Sequence, residues 1–180
     1  LNGIEFIAAN TDAQALSHSL APHKIQLGPR LTRGLGAGGK PEVGESAAEE
    51  SYTTLARALA GADMVFIAAG MGGGTGTGAA AVAARAARSV GAVTISVVTT
   101  PFSFEIGRRQ INARTGLARL RAYSDTLIAI PNDRLLSLAG RNLTLDMAFR
   151  LADDVLRQGI QGISELITEP GIINVDFSHI

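Results

Sequence analysis

Short apolar runs alternate with amphipathic or alanine-rich stretches along most of the chain. Five runs indicate strands, at residues 4–9, 24–27, 64–69, 92–98 and 126–130. Helical spacing predicts helices between them, at residues 12–20, 47–59, 77–90 and 108–122. This alternation predicts an α/β fold, in which a parallel sheet carries helices on both faces. A ligand is then expected at the carboxyl ends of the strands, where the connecting loops gather.

A long helix is predicted after the last strand, over residues 145–168. Its apolar residues recur at roughly helical spacing, at Met147, Leu151, Val155, Ile160, Ile163 and Ile167. At 1.5 Å per residue it would be roughly 35 Å long, enough to cross a domain. Gly159 and Gly162 lower its stability, so we expect them to permit close packing against a neighbour. Pro170 and Gly171 end it.

A glycine-rich run lies between the 64–69 strand and the helix that follows it. Residues 72–78 read GGGTGTG. Bare backbone N–H groups can approach a phosphate closely, and a helix N-terminus adds partial positive charge. Each glycine costs conformational entropy on folding, so five in seven residues are hard to explain as a simple turn. The run therefore predicts a phosphate cradle, with the hydroxyls of Thr75 and Thr77 beside it.

Composition narrows the class of protein. The 180 residues fit one domain, and 46% hydrophobic with 18% charged residues excludes a disordered chain. Lys plus Arg equals Asp plus Glu, at 16 each, so nucleic acid is not an expected partner. The lack of cysteine excludes disulfides and thiolate metal sites. No apolar run approaches the ~20 residues of a membrane span and no signal peptide is visible, so we expect a cytoplasmic protein without direct membrane insertion.

Two common glycine-loop chemistries fit the run poorly. The P-loop lysine is missing, because Ala79 follows the run. The dinucleotide fingerprint GxGxxG/A fits Gly74, Gly76 and Ala79 as a lone match. The acidic residue that should bind the ribose is missing, because Thr99 and Thr100 end the next strand. A nicotinamide-dependent oxidoreductase is therefore a remote alternative.

A third chemistry is the tubulin-type phosphate loop, and here the chain resembles the FtsZ family, bacterial cell-division GTPases related to tubulin. The resemblance rests on seven motifs in family order: NTDAQAL (10–16), KIQLG (24–28), GLGAGGKPEVG (34–44), GMGGGTGTGAA (70–80), PFSFE (101–105), IPNDRLL (130–136) and NVDF (174–177). Together they span nearly the whole chain, which makes the combination far more specific than any one motif. The resemblance implies a tubulin-like, Rossmann-type parallel sheet flanked by helices, with a long central helix at the C-terminal end.

The resemblance also implies a site for GTP or GDP with Mg²⁺. The loop that would hold the β- and γ-phosphates consists of Gly72, Gly73, Gly74, Thr75, Gly76, Thr77 and Gly78. Gly38 and Gly39 would close over the γ-phosphate. Asn10, Thr11 and Asp12 would line the phosphate and magnesium region, with Asp12 as the metal candidate.

The sugar and base contacts are implied in the same way. Glu105 and Arg109 would lie on the ribose side. Asn132 and Asp154 would recognise the guanine edge, and Phe149 would stack on the base. A carboxylate that accepts hydrogen bonds from N1 and the exocyclic amine of guanine is a physical basis for guanine selectivity.

Catalysis in the family takes place between two subunits, where the loop after the long helix enters the next nucleotide site. Asn174 and Asp176 match that pattern and could orient the attacking water. His179 occupies a position where the family normally has a second aspartate. A neutral imidazole supplies no fixed negative charge, so slow or absent hydrolysis with retained nucleotide binding is predicted. A sequencing or truncation artefact so near the end is the other explanation.

The resemblance divides the chain into three parts. Residues 1–144 are expected to form the GTP-binding domain without its first strand and first glycine-rich loop, 145–168 the core helix and 169–180 the catalytic loop, with the second domain absent. We therefore expect a fragment that folds poorly alone, because the neighbours of a missing central strand expose unpaired backbone groups.

The function implied is that of a GTP-binding, self-polymerising cytoskeletal protein of cell division and septation. Its subunits would associate head to tail into filaments at midcell, and a tail absent here would bind division proteins. An FtsZ-like scaffold or regulator with weak or no hydrolysis is the alternative.

Overall fold

The strands of the chain lie in two parallel sheets flanked by helices. The computed structural model describes residues 4–105, 107–137 and 144–168. In chain order the elements are β1 (Ile7–Asn10), α1 (Ala13–Ser17), β2 (His23–Gln26), α2 (Pro29–Thr32), α3 (Pro41–Glu50), α4 (Tyr52–Leu59), β3 (Met64–Gly70), α5 (Thr75–Ser89), β4 (Val93–Thr100), α6 (Arg108–Arg121), β5 (Thr126–Pro131), α7 (Asn132–Leu136) and α8 (Leu145–Thr168). The predicted α/β class is confirmed.

The two sheets are separate. β1 pairs with β2, while β4 lies between β3 and β5, and every pairing is parallel. β4 is buried along nearly its whole length, as its unbroken apolar run predicts. Within the described residues no ladder joins β1 to β3, so the strands form one pair and one group of three.

Helices cover both faces of the larger sheet. On one face, α5 and α6 pack on β4 through a cluster that includes Ala84, Val98 and Leu120. On the other face, Leu156 of α8 packs against Ile95 and Val97. Each such burial contributes roughly 1.5–3 kcal/mol, so the apolar stripe of α8 accounts for its docking on the sheet. The structure confirms the predicted bounds of this helix.

The helix predicted at residues 47–59 is two helices that meet at Ser51. The Ser51 hydroxyl accepts a hydrogen bond from the Gly28 N–H at 3.0 Å and donates to the Gln26 carbonyl at 3.4 Å. The first of the two helices starts earlier than predicted, because Pro41 suits the first helical position. The glycine-rich motif at residues 34–44 therefore enters α3, and its loop part ends at Lys40.

Two short helices were not predicted, and close packing at one α8 glycine is not found among the described residues. The Glu50 carboxylate accepts hydrogen bonds from the Arg30 and Leu31 N–H groups and so caps α2. The other short helix, α7, directly follows β5. In α8, a Cβ at Gly162 would meet nothing within 4 Å, so close packing does not explain this glycine. None of the described helices is both long and apolar enough to cross a membrane.

Candidate functional site

Three loops meet at the N-terminus of α5. They are residues 10–12, 34–40 and 71–74. The hydroxyl oxygens of Thr11 and Thr75 lie 2.5 Å apart, which joins the first loop to the start of α5. The Gly36 N–H donates to the Thr11 carbonyl at 3.3 Å, which joins the second loop to the first. Because Thr11 is fully buried, it forms the centre of this junction.

Both backbone polar groups of Gly72 bond to side chains of the protein. Its N–H donates to the Thr77 hydroxyl at 2.8 Å, and its carbonyl accepts from the Asn112 amide at 3.1 Å. Its φ is +119°, and a Cβ would lie 2.7 Å from Cγ of Pro101. Both its conformation and its packing therefore require glycine.

Three further glycines of the run serve close packing. A Cβ at Gly74 would lie 2.7 Å from the Ala37 Cβ, and one at Gly76 would lie 2.5 Å from a carbonyl of β3. A Cβ at Gly78 would overlap the Pro41 carbonyl of α3. These glycines let α5 approach its neighbours, so the glycine content of the run reflects helix packing as well as ligand access.

Open backbone occurs at three other glycines. Gly38 and Gly39 have positive φ angles of +62° and +74°, and a Cβ at either would meet nothing within 4 Å. At Gly73 the nearest atom to such a Cβ is a guanidinium nitrogen of Arg109, at 3.9 Å. Exposed backbone of this kind beside a helix N-terminus can bind an anion.

Asp12 caps α1. Its Oδ1 accepts hydrogen bonds from the Gln14 and Ala15 N–H groups at 2.9 and 3.1 Å, while Asn10 accepts one from the Asp12 N–H. No cluster of three or more His, Cys, Asp or Glu within the described part of the chain could hold a metal ion. Mg²⁺ typically binds through one or two carboxylates, ligand phosphates and water, and a single carboxylate at Asp12 fits that pattern.

The two predicted ribose-side residues are in contact with each other. Arg109 Nε and Glu105 Oε1 lie 2.8 Å apart, and the other carboxylate oxygen of Glu105 accepts from the Phe102 N–H at 2.7 Å. The Glu105 side chain is only 9% exposed, whereas that of Arg109 is 48% exposed. The guanidinium therefore has a fixed partner and an open side that faces the Gly73 region.

Asn132 begins α7, directly after β5. It is 5% exposed, and its Oδ1 is buried with no hydrogen-bond partner among the described residues. Its neighbour Asp133 accepts hydrogen bonds from the backbone N–H and hydroxyl of Ser103, which ties α7 to the loop after β4. A buried acceptor without a donor is costly and fits a site that an N–H group of a ligand completes.

On α8, Asp154 is exposed and lies 3.4 Å from Arg157. Partial burial raises the pKa of Asp153, and the adjacent Asp154 carboxylate raises it further. Helix α7 packs against α8, which brings the elements that carry Asn132 and Asp154 together.

The Phe149 side chain lies outside what the structure describes, as do the catalytic candidates and the histidine near the C-terminus, Asn174, Asp176 and His179.

A cavity of about 370 Å³ opens between the second loop and α6. Its lining residues are Gly39, Lys40, Pro41, Glu42, Arg108, Ile111 and Asn112. The cations Lys40 and Arg108 flank the open backbone at Gly39, which favours an anion there. The sequence predictions missed Lys40, Arg108 and Asn112, although Lys40 and Arg108 directly adjoin predicted site residues.

Known proteins share this arrangement. The model of the Tubulin/FtsZ family, GTPase domain, matches residues 2–140. An empty FtsZ dimer from M. jannaschii is 49% identical with a TM-score of 0.91, over 97% of this chain and 50% of that one. A mutant FtsZ from M. jannaschii is also 49% identical, with a TM-score of 0.91, over 97% and 52%.

A more distant structure shows the same fold. CetZ1 from Haloferax volcanii, a GDP-bound monomer, is 22% identical with a TM-score of 0.74, over 86% of this chain and 49% of that one. The chain spans about half the length of these structures. The family match covers most of the sequence, including the three converging loops, and the predicted resemblance is confirmed. The chain therefore belongs to the Tubulin/FtsZ family and carries sequence of its GTPase domain.

Proposed function

We propose that this chain binds GTP and GDP where the three loops meet. The observation that carries the proposal is the closure of these loops on the N-terminus of α5, with open backbone at Gly38, Gly39 and Gly73. Bare amides and a helix dipole favour the phosphates, and the nearby cations Lys40 and Arg108 add attraction. The GDP in the CetZ1 structure belongs to a protein of the same fold and agrees with this proposal.

The phosphate end would contain residues of all three loops. Gly73, Gly74, Thr75 and Gly76 supply N–H groups near the start of α5, while Gly38 and Gly39 face the γ-phosphate side. Asn10 and Thr11 line the region, and Asp12 would hold a hydrated Mg²⁺ together with the phosphates. When bound, the ion would neutralise phosphate charge.

The guanosine end would lie between the loop after β4 and α7. Arg109, held by Glu105, would contact the ribose side. The buried Oδ1 of Asn132 would accept an N–H of the base, and Asp154 would accept from N1 and the exocyclic amine. Phe149 would stack on the ring. This donor and acceptor pattern favours guanine over adenine.

Hydrolysis would occur between adjacent subunits of a head-to-tail filament. Asn174 and Asp176 of one subunit would orient water at the γ-phosphate held by the next. The empty FtsZ structure is a dimer, which supports self-association of related chains. We propose a role in the division ring at midcell in the cytoplasm.

His179 supports a second candidate function, a GTP-binding scaffold or regulator with weak or no hydrolysis.

Calorimetric titration of the chain with GTP, GDP and ATP tests nucleotide binding. We expect both guanine nucleotides to bind at least about tenfold more tightly than ATP, a difference of about 1.4 kcal/mol. Asp154→Ala should remove much of that preference. Asp146→Ala is the control, since Asp146 is another exposed carboxylate of α8. Equal affinities for GTP and ATP would contradict the proposal. Assembly is a separate question, which light scattering in the presence of GTP or of GDP tests.

A further inference from the structure

One face of α6 lies along the glycine-rich run of residues 72–78 over successive turns. Arg109 lies beside Gly73, Asn112 donates to the Gly72 carbonyl at 3.1 Å, and a Cβ at Gly116 would lie 2.6 Å from Cγ2 of Thr77. These three α6 residues share a face because they are spaced by three and four positions. Helix α6 therefore contacts the glycine-rich run on three successive turns and supports its backbone.

The contact made by Asn112 determines how one peptide group of the run is oriented. A trans peptide is planar, so its carbonyl oxygen and its N–H point in opposite directions. Asn112 holds the Gly72 carbonyl toward α6. The Gly73 N–H, which belongs to the same peptide group, must then point away from α6. That N–H donates to no described residue.

We propose that Asn112 is a positioning residue that fixes the Gly72–Gly73 peptide and so keeps the Gly73 N–H directed at the β-phosphate of the bound nucleotide. The inference rests on the proposed function, because it assigns a ligand to that free donor. The Thr77 hydroxyl holds the other side of Gly72, since it accepts the Gly72 N–H at 2.8 Å. Only the amide of Asn112 restrains the carbonyl side among the described contacts.

The variant Asn112→Asp tests the inference with almost no change of shape. A carboxylate cannot donate to the Gly72 carbonyl and repels it, so the peptide is released. We expect the backbone order parameter of the Gly73 N–H, measured by NMR without nucleotide, to fall from a rigid value of about 0.85 to below about 0.6. We also expect the affinity for GDP to fall about tenfold or more, as for loss of a hydrogen bond to a charged group. The affinity for GMP, which lacks the β-phosphate, should stay the same.

Two further variants serve as controls. Asn112→Gln keeps the amide donor and should restore part of the GDP affinity. Thr115→Ala changes an exposed residue of the same helix whose hydroxyl donates only to the Ile111 carbonyl, and it should change neither measurement.

The outcomes separate the two proposals. An unchanged order parameter at the Gly73 N–H and unchanged GDP affinity in Asn112→Asp would overturn the positioning role while nucleotide binding by the parent chain stands. Equal losses for GDP and GMP would also overturn it, because they indicate general damage to the fold. If the parent chain binds no guanine nucleotide, the proposed function and the phosphate role of Gly73 both fail, and the order parameter reports only whether Asn112 restrains the peptide.

Discussion

Gly78 of α5 lies so close to the Pro41 carbonyl of α3 that no Cβ fits between the two helices. Gly44 of α3 meets the backbone of Gly74 in the same way. At these two glycines the helices therefore meet through backbone, while alanine and valine side chains pack along the rest of the contact. This contact brings the second loop, which precedes α3, against the start of α5.

Replacing Gly78 by alanine should destabilise the protein, because the new methyl group overlaps backbone that cannot move without separating the helices. We expect a loss of about 1–3 kcal/mol or more, measured by chemical denaturation. Gly162→Ala is the matched control, since its Cβ would enter open space within a helix. That variant should gain up to about 1 kcal/mol from helix propensity. Similar stabilities for the two variants would contradict this account of the packing.

Replacing Asn132 by leucine should separate stability from binding. The substitution removes a buried oxygen that has no partner, so the unliganded protein should lose little stability despite the buried position. The affinity for GTP should fall about tenfold or more, because the base loses its acceptor. Thermal denaturation and nucleotide titration on the same samples measure both quantities. A large loss of stability with unchanged affinity would show that the side chain serves the fold alone.

The raised pKa of Asp153 gives stability a defined pH dependence. The folded state binds this proton more tightly than the unfolded state, so the ionised carboxylate lowers the free energy of unfolding at pH values above the folded-state pKa. Asp153→Asn should therefore raise stability slightly at neutral pH. The gain should shrink as the pH falls through the folded-state pKa and should vanish below the ordinary aspartate value of about 3.9.

Denaturation of Asp153→Asn at neutral and acidic pH measures this difference. Asp146→Asn is the control, since Asp146 lies in the first turn of the same helix, where a negative charge is favourable. It should lower stability slightly at neutral pH. A gain in Asp153→Asn that stays constant with pH would contradict the electrostatic explanation.

His179→Asp should increase GTP turnover. An aspartate would restore the fixed negative charge that the resemblance implies at this position, and general-base groups typically contribute 10²–10⁴-fold. We expect an increase of about tenfold or more in phosphate release during assembly, with unchanged nucleotide affinity. His18→Asp, at an exposed histidine of the described structure, controls for added charge. Equal and normal turnover with either residue at position 179 would refute the effect.

The parts of the fold that the sequence predicted are those decided by local pattern. The buried strand β4 and the long helix α8 follow from an unbroken apolar run and an apolar stripe. The break at Ser51 was not predictable, because its hydroxyl bonds to residues 23 and 25 positions away. The cap of α2 is also distant, since Glu50 lies 19 and 20 positions from the N–H groups it accepts.

In the candidate site, too, contacts between residues distant on the chain were not predictable from the sequence. The resemblance assigned Glu105 and Arg109 to the ribose side, and the structure adds that these residues, four apart on the chain, form an ion pair. Asn112 gave no sequence signal, because its contact with Gly72 spans 40 positions and depends on how α6 packs. The packing role of Gly78 was also hidden, because a glycine in a loop-to-helix segment looks the same whether it faces a ligand or another helix.

The ligand site lies where a loop of one sheet meets the start of a helix that packs on the other sheet. Within the described residues no strand pairing links the sheets, while the Thr11–Thr75 contact joins the loop after β1 to the start of α5. A nucleotide bound there would touch both halves and add its binding free energy to their cohesion, about 2.7 kcal/mol at a hundred times Kd. Nucleotide occupancy would then raise the free energy of unfolding of the chain, so removal of the ligand should lower its melting temperature.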